Sequence, residues 1–264
     1  MYRTLAIVVA AVLAALPPAE ASEVDVELVL MVDVSRSMTQ RELEIQRRGY
    51  AAALRSDAVH RAVRSGLLGR IALTYVEWAG SQEIVVDWHL IEDRADLDAF
   101  AGLLTSRFDP AFRRTSISGA LAFGAELIAS NAFSARRQVI DVSGDGPNNS
   151  GRPVALARDA VLAQGIVING LPLMTREGLG SQWHLDGLDI YYRACVINGP
   201  GSFVIPVLDW DDFEEAVRRK LVLEIAGRAR PQGWTATPAS ARDPRDCMIG
   251  EKMWRDRQPL WGDP

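Results

Sequence analysis

A cluster of three oxygen-bearing side chains follows an apolar run near the start of the chain. Residues 29–32 (Val-Leu-Met-Val) are typical of a buried strand, and Asp33, Ser35 and Ser37 come directly after it at every second position. Side chains spaced in this way can turn toward one point beyond the strand end. Carboxylate and hydroxyl oxygens suit Mg²⁺, Ca²⁺ or Mn²⁺ rather than zinc or copper. Three ligands are too few for an octahedral ion, so further ligands must come from other segments.

Two more polar turns are candidates for the missing ligands. Thr115 lies in a polar turn that opens a helix, and Asp145 lies in a Gly-Asp-Gly turn where an apolar strand stops. In an open α/β sheet, ligands bind beyond the carboxyl ends of the strands, so the three turns should meet there. The candidate metal ligands are Asp33, Ser35, Ser37, Thr115 and Asp145.

Each of these residues also has a purely structural interpretation. Asp33 can cap the turn that follows it, and Thr115 can be the N-cap of its helix. Asp145 fits an ordinary turn. The agreement of three separate segments, in order along the chain, favours the metal site over these alternatives.

The elements that would position the three turns alternate along the chain in the order β-α-β-β-α-α-β-α-β-α-β-α. Thr39 and Glu42 form a capping-box pattern at the start of the first helix. Residues 79–82 are too short a link for a crossover, so the second and third strands should pair as an antiparallel hairpin at a sheet edge. The predicted strands are residues 26–32, 71–78, 83–90, 138–143, 165–169 and 203–207.

This alternation predicts one α/β domain. We expect a Rossmann-like three-layer α/β/α fold over residues 22–227, with a mostly parallel six-stranded sheet and one antiparallel edge strand. Residues 228–264 lose the periodic pattern and are predicted to be an irregular tail laid over the domain. Tail tryptophans such as Trp254 are candidates for packing or for partner contacts.

The N-terminal residues have the layout of a secretory signal peptide. Arg3 precedes an apolar run at residues 5–16, and Ala19-Glu20-Ala21 predicts cleavage after Ala21. The run is too short to cross a bilayer as a mature helix, although an uncleaved membrane anchor is the alternative. We therefore expect a periplasmic or secreted protein with no transmembrane segment after cleavage.

Charge and cysteine content restrict the partners and the compartment further. The net charge is -5, and the lack of a basic stripe argues against nucleic acid as a partner. The two cysteines, Cys195 and Cys247, form a plausible disulfide in an oxidising compartment, which would pin the tail to the domain. Two unrelated thiols remain the alternative, because sequence does not show proximity.

Together, the three loops resemble those of the von Willebrand factor type A domain. The resemblance rests on Asp-x-Ser-x-Ser after the first strand, a Thr opening a middle helix and Asp-Gly after the fourth strand, and it covers residues 24–227. In that family these loops form a metal-ion-dependent adhesion site (MIDAS). Residues 75–78 and 141–149 also resemble a group of secreted bacterial proteins of this type without an assigned function.

The resemblance implies a role for each ligand around Mg²⁺, with Mn²⁺ or Ca²⁺ as alternatives. Ser35 and Ser37 would bind the ion through their hydroxyls, and Thr115 would bind it directly when a partner is engaged and through water otherwise. Asp33 and Asp145 would hold it largely through waters. The sixth position would accept an Asp or Glu from an unknown partner protein, because Mg²⁺ readily keeps an exchangeable water.

The chain departs from the family pattern at the edge of this site. Arg36 stands between the two serines, where the family often has a small residue, and Arg114 precedes Thr115 where glycines are common. These substitutions would make the site more positive than usual. The candidates for the site rim are Arg36, Arg114 and Asn148.

The predicted function is a non-catalytic, cation-dependent protein-binding module outside the cytoplasm. The alternative is a metal-dependent hydrolase acting on a phosphate or ester. The sequence has neither a Gly-x-Ser-x-Gly elbow nor a Ser-x-x-Lys pair to support it. A nucleotide-binding domain is less favoured, since Gly144-Asp145-Gly146 lacks the third glycine and follows the fourth strand rather than the first.

Overall fold

A mixed β-sheet forms the centre of the protein, in a computed structural model that describes residues 21–105, 114–175, 185–227, 237–238 and 246–257. The strands are β1 Ser22–Asp33, β2 Ile71–Trp78, β3 Gln82–Ile91, β4 Phe133–Gly144, β5 Val167–Pro172, β6 Phe203–Val204 and β7 Thr237–Pro238. Their order across the sheet is β3-β2-β1-β4-β5-β6-β7. The two edge strands β3 and β7 are antiparallel to their neighbours, and the other pairings are parallel.

Helices cover both faces of this sheet. They are α1 Gln40–Leu54, α2 Asp57–Arg64, α3 Arg94–Leu104, α4 Ile117–Ser130, α5 Val154–Leu162, α6 Leu188–Tyr191, α7 Phe213–Ala226 and α8 Ile249–Arg257. A π-helical turn, Tyr192–Val196, continues α6, and a 3₁₀ turn, Trp210–Asp212, precedes α7. Helices α1, α2, α3 and α7 pack on one face, and α4, α5 and α6 pack on the other.

Strand β1 lies in the middle of the sheet and contributes to both hydrophobic cores. Leu28 and Leu30 point into the core beneath α1 and α7, while Val29 and Met31 point into the core beneath α4 and α5. A strand covered on both faces reads as a continuous apolar run, which explains the sequence before Asp33. The carboxyl ends of β1 and β4 therefore lie side by side in the middle of the sheet, at the end where its parallel strands finish.

The N-cap of α1, Thr39, lies two residues after Ser37 and is fixed by local hydrogen bonds. The Thr39 hydroxyl accepts a hydrogen bond from the Glu42 backbone N–H at 3.3 Å, and the Glu42 carboxylate accepts one from the Thr39 N–H at 2.6 Å. This confirms the predicted capping box. It also limits the freedom of the loop that carries the two serines.

The structure confirms the predicted fold class, including the antiparallel hairpin between β2 and β3. It adds α2, which Ser56 caps by accepting a hydrogen bond from the Val59 N–H. It also places β7 and α8 within the segment predicted to be irregular. Helix α8 is short and mostly polar, so it lacks the apolar stripe that predicts a helix from sequence.

Some predictions fall outside the described residues. Residues 1–20, which carry most of the predicted signal peptide, are among them, as are Trp234 and Trp261 of the tail. Within the described ranges, no helix combines the length and the apolar character needed to cross a membrane.

Candidate functional site

Asp33 ends β1 and orders the loop that follows it. Its side chain is buried, and its Oδ1 accepts a hydrogen bond from the Ser35 backbone N–H at 2.7 Å. Its backbone carbonyl accepts a second from the Gln46 side chain of α1 at 3.0 Å. The carboxylate therefore closes a short turn that brings Ser35 back toward the strand end.

A continuous chain of oxygen atoms leads from this turn to the end of β4. The hydroxyls of Ser35 and Ser37 are 3.0 Å apart, and the Ser37 hydroxyl donates to Asp145 Oδ1 at 2.8 Å. Ser37 and Asp145 are 108 residues apart in the sequence. Four of the five predicted ligands, Asp33, Ser35, Ser37 and Asp145, are thus brought into one cluster by two adjacent parallel strands.

The backbone of Thr115 is hydrogen bonded to Asn149 in the loop that follows Asp145. Its N–H donates to Asn149 Oδ1 at 3.0 Å, and its carbonyl accepts from the Asn149 N–H at 2.9 Å. Asn149 follows Asp145 in the loop after β4, so the Thr115 loop lies against the Asp145 loop. The N-cap of α4 is Ser116, whose hydroxyl accepts from the Gly119 N–H, and not Thr115. The capping interpretation of Thr115 was therefore wrong.

Burial changes the acidity of both carboxyl groups. It raises the pKa of Asp33 well above its usual value, and the negative charge of Asp145 raises it further. Burial likewise raises the pKa of Asp145 to about 6, although the hydrogen bond from Ser37 opposes this. Asp33 Oδ2 is buried and makes no hydrogen bond within the part of the chain that the structure describes. Both groups therefore lie where added positive charge would be stabilising.

Tyr192 lies next to this site, although no sequence pattern predicts it there. A β-carbon on Gly144 would lie 2.8 Å from the Tyr192 hydroxyl and 2.9 Å from Asp33 Oδ2, so these two oxygens flank the same point. Gly144 is required there because any larger residue would collide with them. Tyr192 is fully buried and begins the π-helical turn, a rare geometry that is frequent at functional sites.

Two of the three predicted rim residues are exposed. Arg36 is exposed between the two serines, and Arg114 is exposed just before Thr115. Arg114 has a left-handed backbone, with φ of 74°. Its guanidinium carbon lies 5.2 Å from the ring centroid of Trp254 on α8, which is within the range of a cation–π contact.

The third predicted rim residue, Asn148, is fully buried, so its assignment to the rim was wrong. Its Oδ1 accepts from the Ser118 N–H at 2.9 Å. Its Nδ2 donates to the Arg152 carbonyl at 3.3 Å and to Glu251 Oε1 at 2.7 Å. Asn148 therefore ties together the Asp145 loop, the first turn of α4 and the tail helix α8.

The predicted disulfide between Cys195 and Cys247 is present. It joins the π-helical turn to Cys247, which lies two residues before the start of α8. A β-carbon on Gly250 would lie only 2.0 Å from the Asn148 carbonyl oxygen, so the backbone of α8 packs directly on the Asp145 loop. The prediction that the tail is pinned to the domain is confirmed for this part of it.

Several solved structures share this fold at low sequence identity. The pilus adhesin SpaC from Lactobacillus rhamnosus GG matches with a TM-score of 0.57 and 12% identity, over 76% of this chain and 31% of that one. A von Willebrand factor type A protein from Catenulispora acidiphila matches with a TM-score of 0.53 and 15% identity, over 77% and 43%. Proximal thread matrix protein 1 from the mussel byssus matches with a TM-score of 0.52 and 15% identity, over 78% and 47%.

The fold is that of a von Willebrand factor type A domain, as the sequence resemblance predicted. Identities this low establish the fold alone, and the chain spans less than half the length of each of these three proteins. Residues 23–229 match the family described as "Protein of unknown function (DUF1194)", and the chain belongs to that family. A comparison with curated proteins found no match.

Proposed function

We propose that the protein is a non-catalytic module that binds a partner protein through a divalent cation at a MIDAS. The observation that carries this proposal is the chain of oxygen atoms from Ser35 through Ser37 to Asp145, with the buried carboxyl of Asp33 beside it. These side chains come from separate strand ends. The chain shares its fold with a von Willebrand factor type A protein, and the sequence resemblance to that family implies an adhesion site formed by these loops.

The residues fit a hard divalent cation. Asp33 Oδ2 is buried without a hydrogen-bond partner among the described residues. The pKa values of Asp33 and Asp145 are raised, and a nearby positive charge would lower them. Carboxylate and hydroxyl oxygens are the donors that Mg²⁺, Mn²⁺ and Ca²⁺ prefer. We infer that Ser35, Ser37 and Thr115 would hold the ion with Asp33 and Asp145.

The donor set also suggests what the cation would do. Three of the five donors are neutral hydroxyls, so the ion would keep much of its positive charge and attract an outside anion. The exposed side chain of Arg36 adds positive charge between the serines. We propose that the ligand is an Asp or Glu side chain presented by a partner protein. The disulfide supports a location outside the cytoplasm, where such bonds persist.

Metal titration of the purified protein tests this proposal. We expect isothermal titration calorimetry to show Mg²⁺ or Mn²⁺ binding to the wild type and none to Asp33→Ala, because that variant loses the buried carboxyl. The matched control is Asp25→Ala, which removes a carboxylate from the opposite end of β1, where Asp25 binds the backbone of residues 68–70. It should leave metal affinity unchanged.

A capture experiment tests the partner. A protein captured from envelope extract should be released by EDTA and should not be captured by Asp33→Ala. Capture that is insensitive to both EDTA and the substitution would contradict a MIDAS function.

A further inference from the structure

Helix α8 lies beyond the segment that matches the family, residues 23–229, and yet it contacts the loops of the candidate metal site. The contacts that connect it to the rest of the protein include the disulfide through Cys247, the hydrogen bond of Glu251 with Asn148, and the contact of Trp254 with Arg114. The last two lead to the residues on either side of Thr115: Trp254 contacts Arg114 directly, and Glu251 acts on the first turn of α4 through Asn148.

One contact reaches the first turn of α4, just after Thr115. Glu251 Oε1 accepts from Asn148 Nδ2 at 2.7 Å, and Asn148 Oδ1 accepts from the Ser118 N–H at 2.9 Å. The amide of Asn148 is fully buried, so a lost partner would not be replaced freely by water. Glu251 therefore helps to fix the position of the Asn148 side chain, which in turn holds the turn that follows Thr115.

The other contact reaches the residue directly before Thr115. Arg114 has a left-handed backbone, which is unfavourable for a residue with a β-carbon and persists only where the surroundings impose it. The Trp254 ring, 5.2 Å from the Arg114 guanidinium carbon, is one such constraint. Trp254 was predicted from sequence as a packing or partner-binding residue, and the structure gives it this contact with the site loop.

The disulfide explains why a short polar helix stays in this position. Cys195 is fully buried within the π-helical turn, so its bond fixes Cys247 and the start of α8 relative to the core. Gly250 allows the helix backbone to approach the Asn148 carbonyl closely. Apart from Gly250, the residues of α8 are exposed or only partly buried, and an apolar face alone would hold them weakly.

We propose that α8 positions the loop that presents Thr115, and that it thereby sets the affinity of the site for its divalent cation. Glu251 and Trp254 are positioning residues that act through Asn148 and Arg114. This inference rests on the proposed function, because it assigns the control of that same metal site to the disulfide-anchored tail.

Paired substitutions in the full chain test the inference, with Mn²⁺ alone as the probe. Trp254→Leu and Glu251→Ala should each weaken Mn²⁺ binding by about tenfold or more, the usual effect of removing a group that orients a metal ligand. Trp254→Phe keeps an aromatic face and Glu251→Gln keeps the acceptor oxygen, so both should restore affinity close to the wild type. Calorimetry measures the dissociation constants. The electron paramagnetic resonance spectrum of bound Mn²⁺ should change in Trp254→Leu and Glu251→Ala only.

A control and a second route keep the test independent of folding. Arg255→Ala alters an exposed residue of the same helix and should leave the Mn²⁺ dissociation constant unchanged. Cys247→Ser should weaken binding as the first pair does, while circular dichroism shows that the sheet is retained.

The outcomes separate this inference from the proposed function. If the wild type binds Mn²⁺, Asp33→Ala does not, and all tail variants bind like the wild type, the positioning role is overturned and the metal site stands. The positioning role is also overturned if the tail variants lower the midpoint of urea unfolding and leave the Mn²⁺ dissociation constant unchanged. If the wild type itself binds no Mn²⁺, the proposed function fails first.

Discussion

The carboxyl groups of Asp33 and Asp145 hold protons more tightly than ordinary aspartates. Burial is the main cause for both, and the charge of Asp145 adds to the effect on Asp33. A bound divalent cation would stabilise the ionised form of each group. Protons and metal therefore compete for the same oxygens, and metal binding must release protons wherever the free protein is still protonated.

This competition predicts a pH dependence of metal affinity. Because the pKa of Asp145 is raised to about 6, the affinity for Mn²⁺ should increase as the pH rises from about 5 to 7. Calorimetry in buffers of different ionisation enthalpy should detect more protons released per Mn²⁺ below pH 6 than above it. An affinity that does not change over this range would show that neither carboxylate takes part in binding.

Which side chains cluster at the candidate site could be predicted better than the residues that surround them. Asp33, Ser35 and Asp145 could be predicted because parallel strands deliver their carboxyl ends to one edge, so strand ends alone bring them together. The roles of Asn148 and Tyr192 could not be predicted. Both depend on contacts made after folding, with α8 and with the Gly144 backbone, and neither has a local sequence signal.

At the level of elements, a buried ion cluster ties α7 to the sheet. Lys220 Nζ on α7 lies 2.6 Å from Asp141 Oδ1 on β4 and also contacts Glu224 one turn later. Glu224 Oε1 accepts from Asn169 Nδ2 on β5 at 3.0 Å. Burial and the charge of Asp141 raise the pKa of Glu224 to about 7, although Lys220 opposes this. The single cation Lys220 thus pairs with two buried carboxyl groups, Glu224 on α7 and Asp141 on β4, the strand that precedes Asp145.

Two substitutions should distinguish the partners in this cluster. Lys220→Met should lower the free energy of unfolding by about 3–5 kcal/mol, because it leaves both carboxyls buried without a cation. Glu224→Gln keeps an acceptor for Asn169 and leaves Lys220 paired with Asp141 alone, so its effect should be clearly smaller. Urea unfolding at neutral pH measures both values, and equal losses would show that the charges are not the reason for the stability.

Elements with local signals were predicted, and elements that depend on distant contacts were not. Helix α1 carries a capping box in Thr39 and Glu42, so a few neighbouring residues specify its start. Helix α2 has a Ser56 cap but only two turns, too short for its apolar spacing to stand out. The π-helical turn and α8 have no such signal, since a disulfide partner and the close approach at Gly250 decide their positions.

At the level of the whole molecule, the bond between Cys195 and Cys247 links positions 52 residues apart. A crosslink across a loop of this length restricts the unfolded chain and stabilises the folded one by about 4 kcal/mol in the chain-entropy model. It also joins the tail to a sheet in which the antiparallel pairing of β2 with β3 was predictable from the short link at residues 79–82. The pairing of β7 with β6 was not, because two residues carry no strand pattern.

Reduction of the disulfide should therefore lower stability without removing the sheet. We expect the free energy of unfolding to fall by about 4 kcal/mol when the bond is reduced or replaced in Cys195→Ser/Cys247→Ser. Urea titrations with and without dithiothreitol, followed by far-ultraviolet circular dichroism, measure the change. The double variant serves as the control, since dithiothreitol should not alter it. A midpoint of urea unfolding that is the same for the wild type with and without dithiothreitol would contradict a stabilising role of the disulfide.

The pairing of β1 with β4 has a consequence for how the protein is made. Met31 and Ser143, which are hydrogen bonded across the two strands, are 112 residues apart. At the usual speed of translation, the ribosome delivers β4 roughly 10 s after β1. Strands β2 and β3 arrive earlier and cover only one side of β1, so its other edge stays open to unrelated nascent chains. The unpaired edge of β1 is therefore prone to pairing with other chains until β4 is available to cover it.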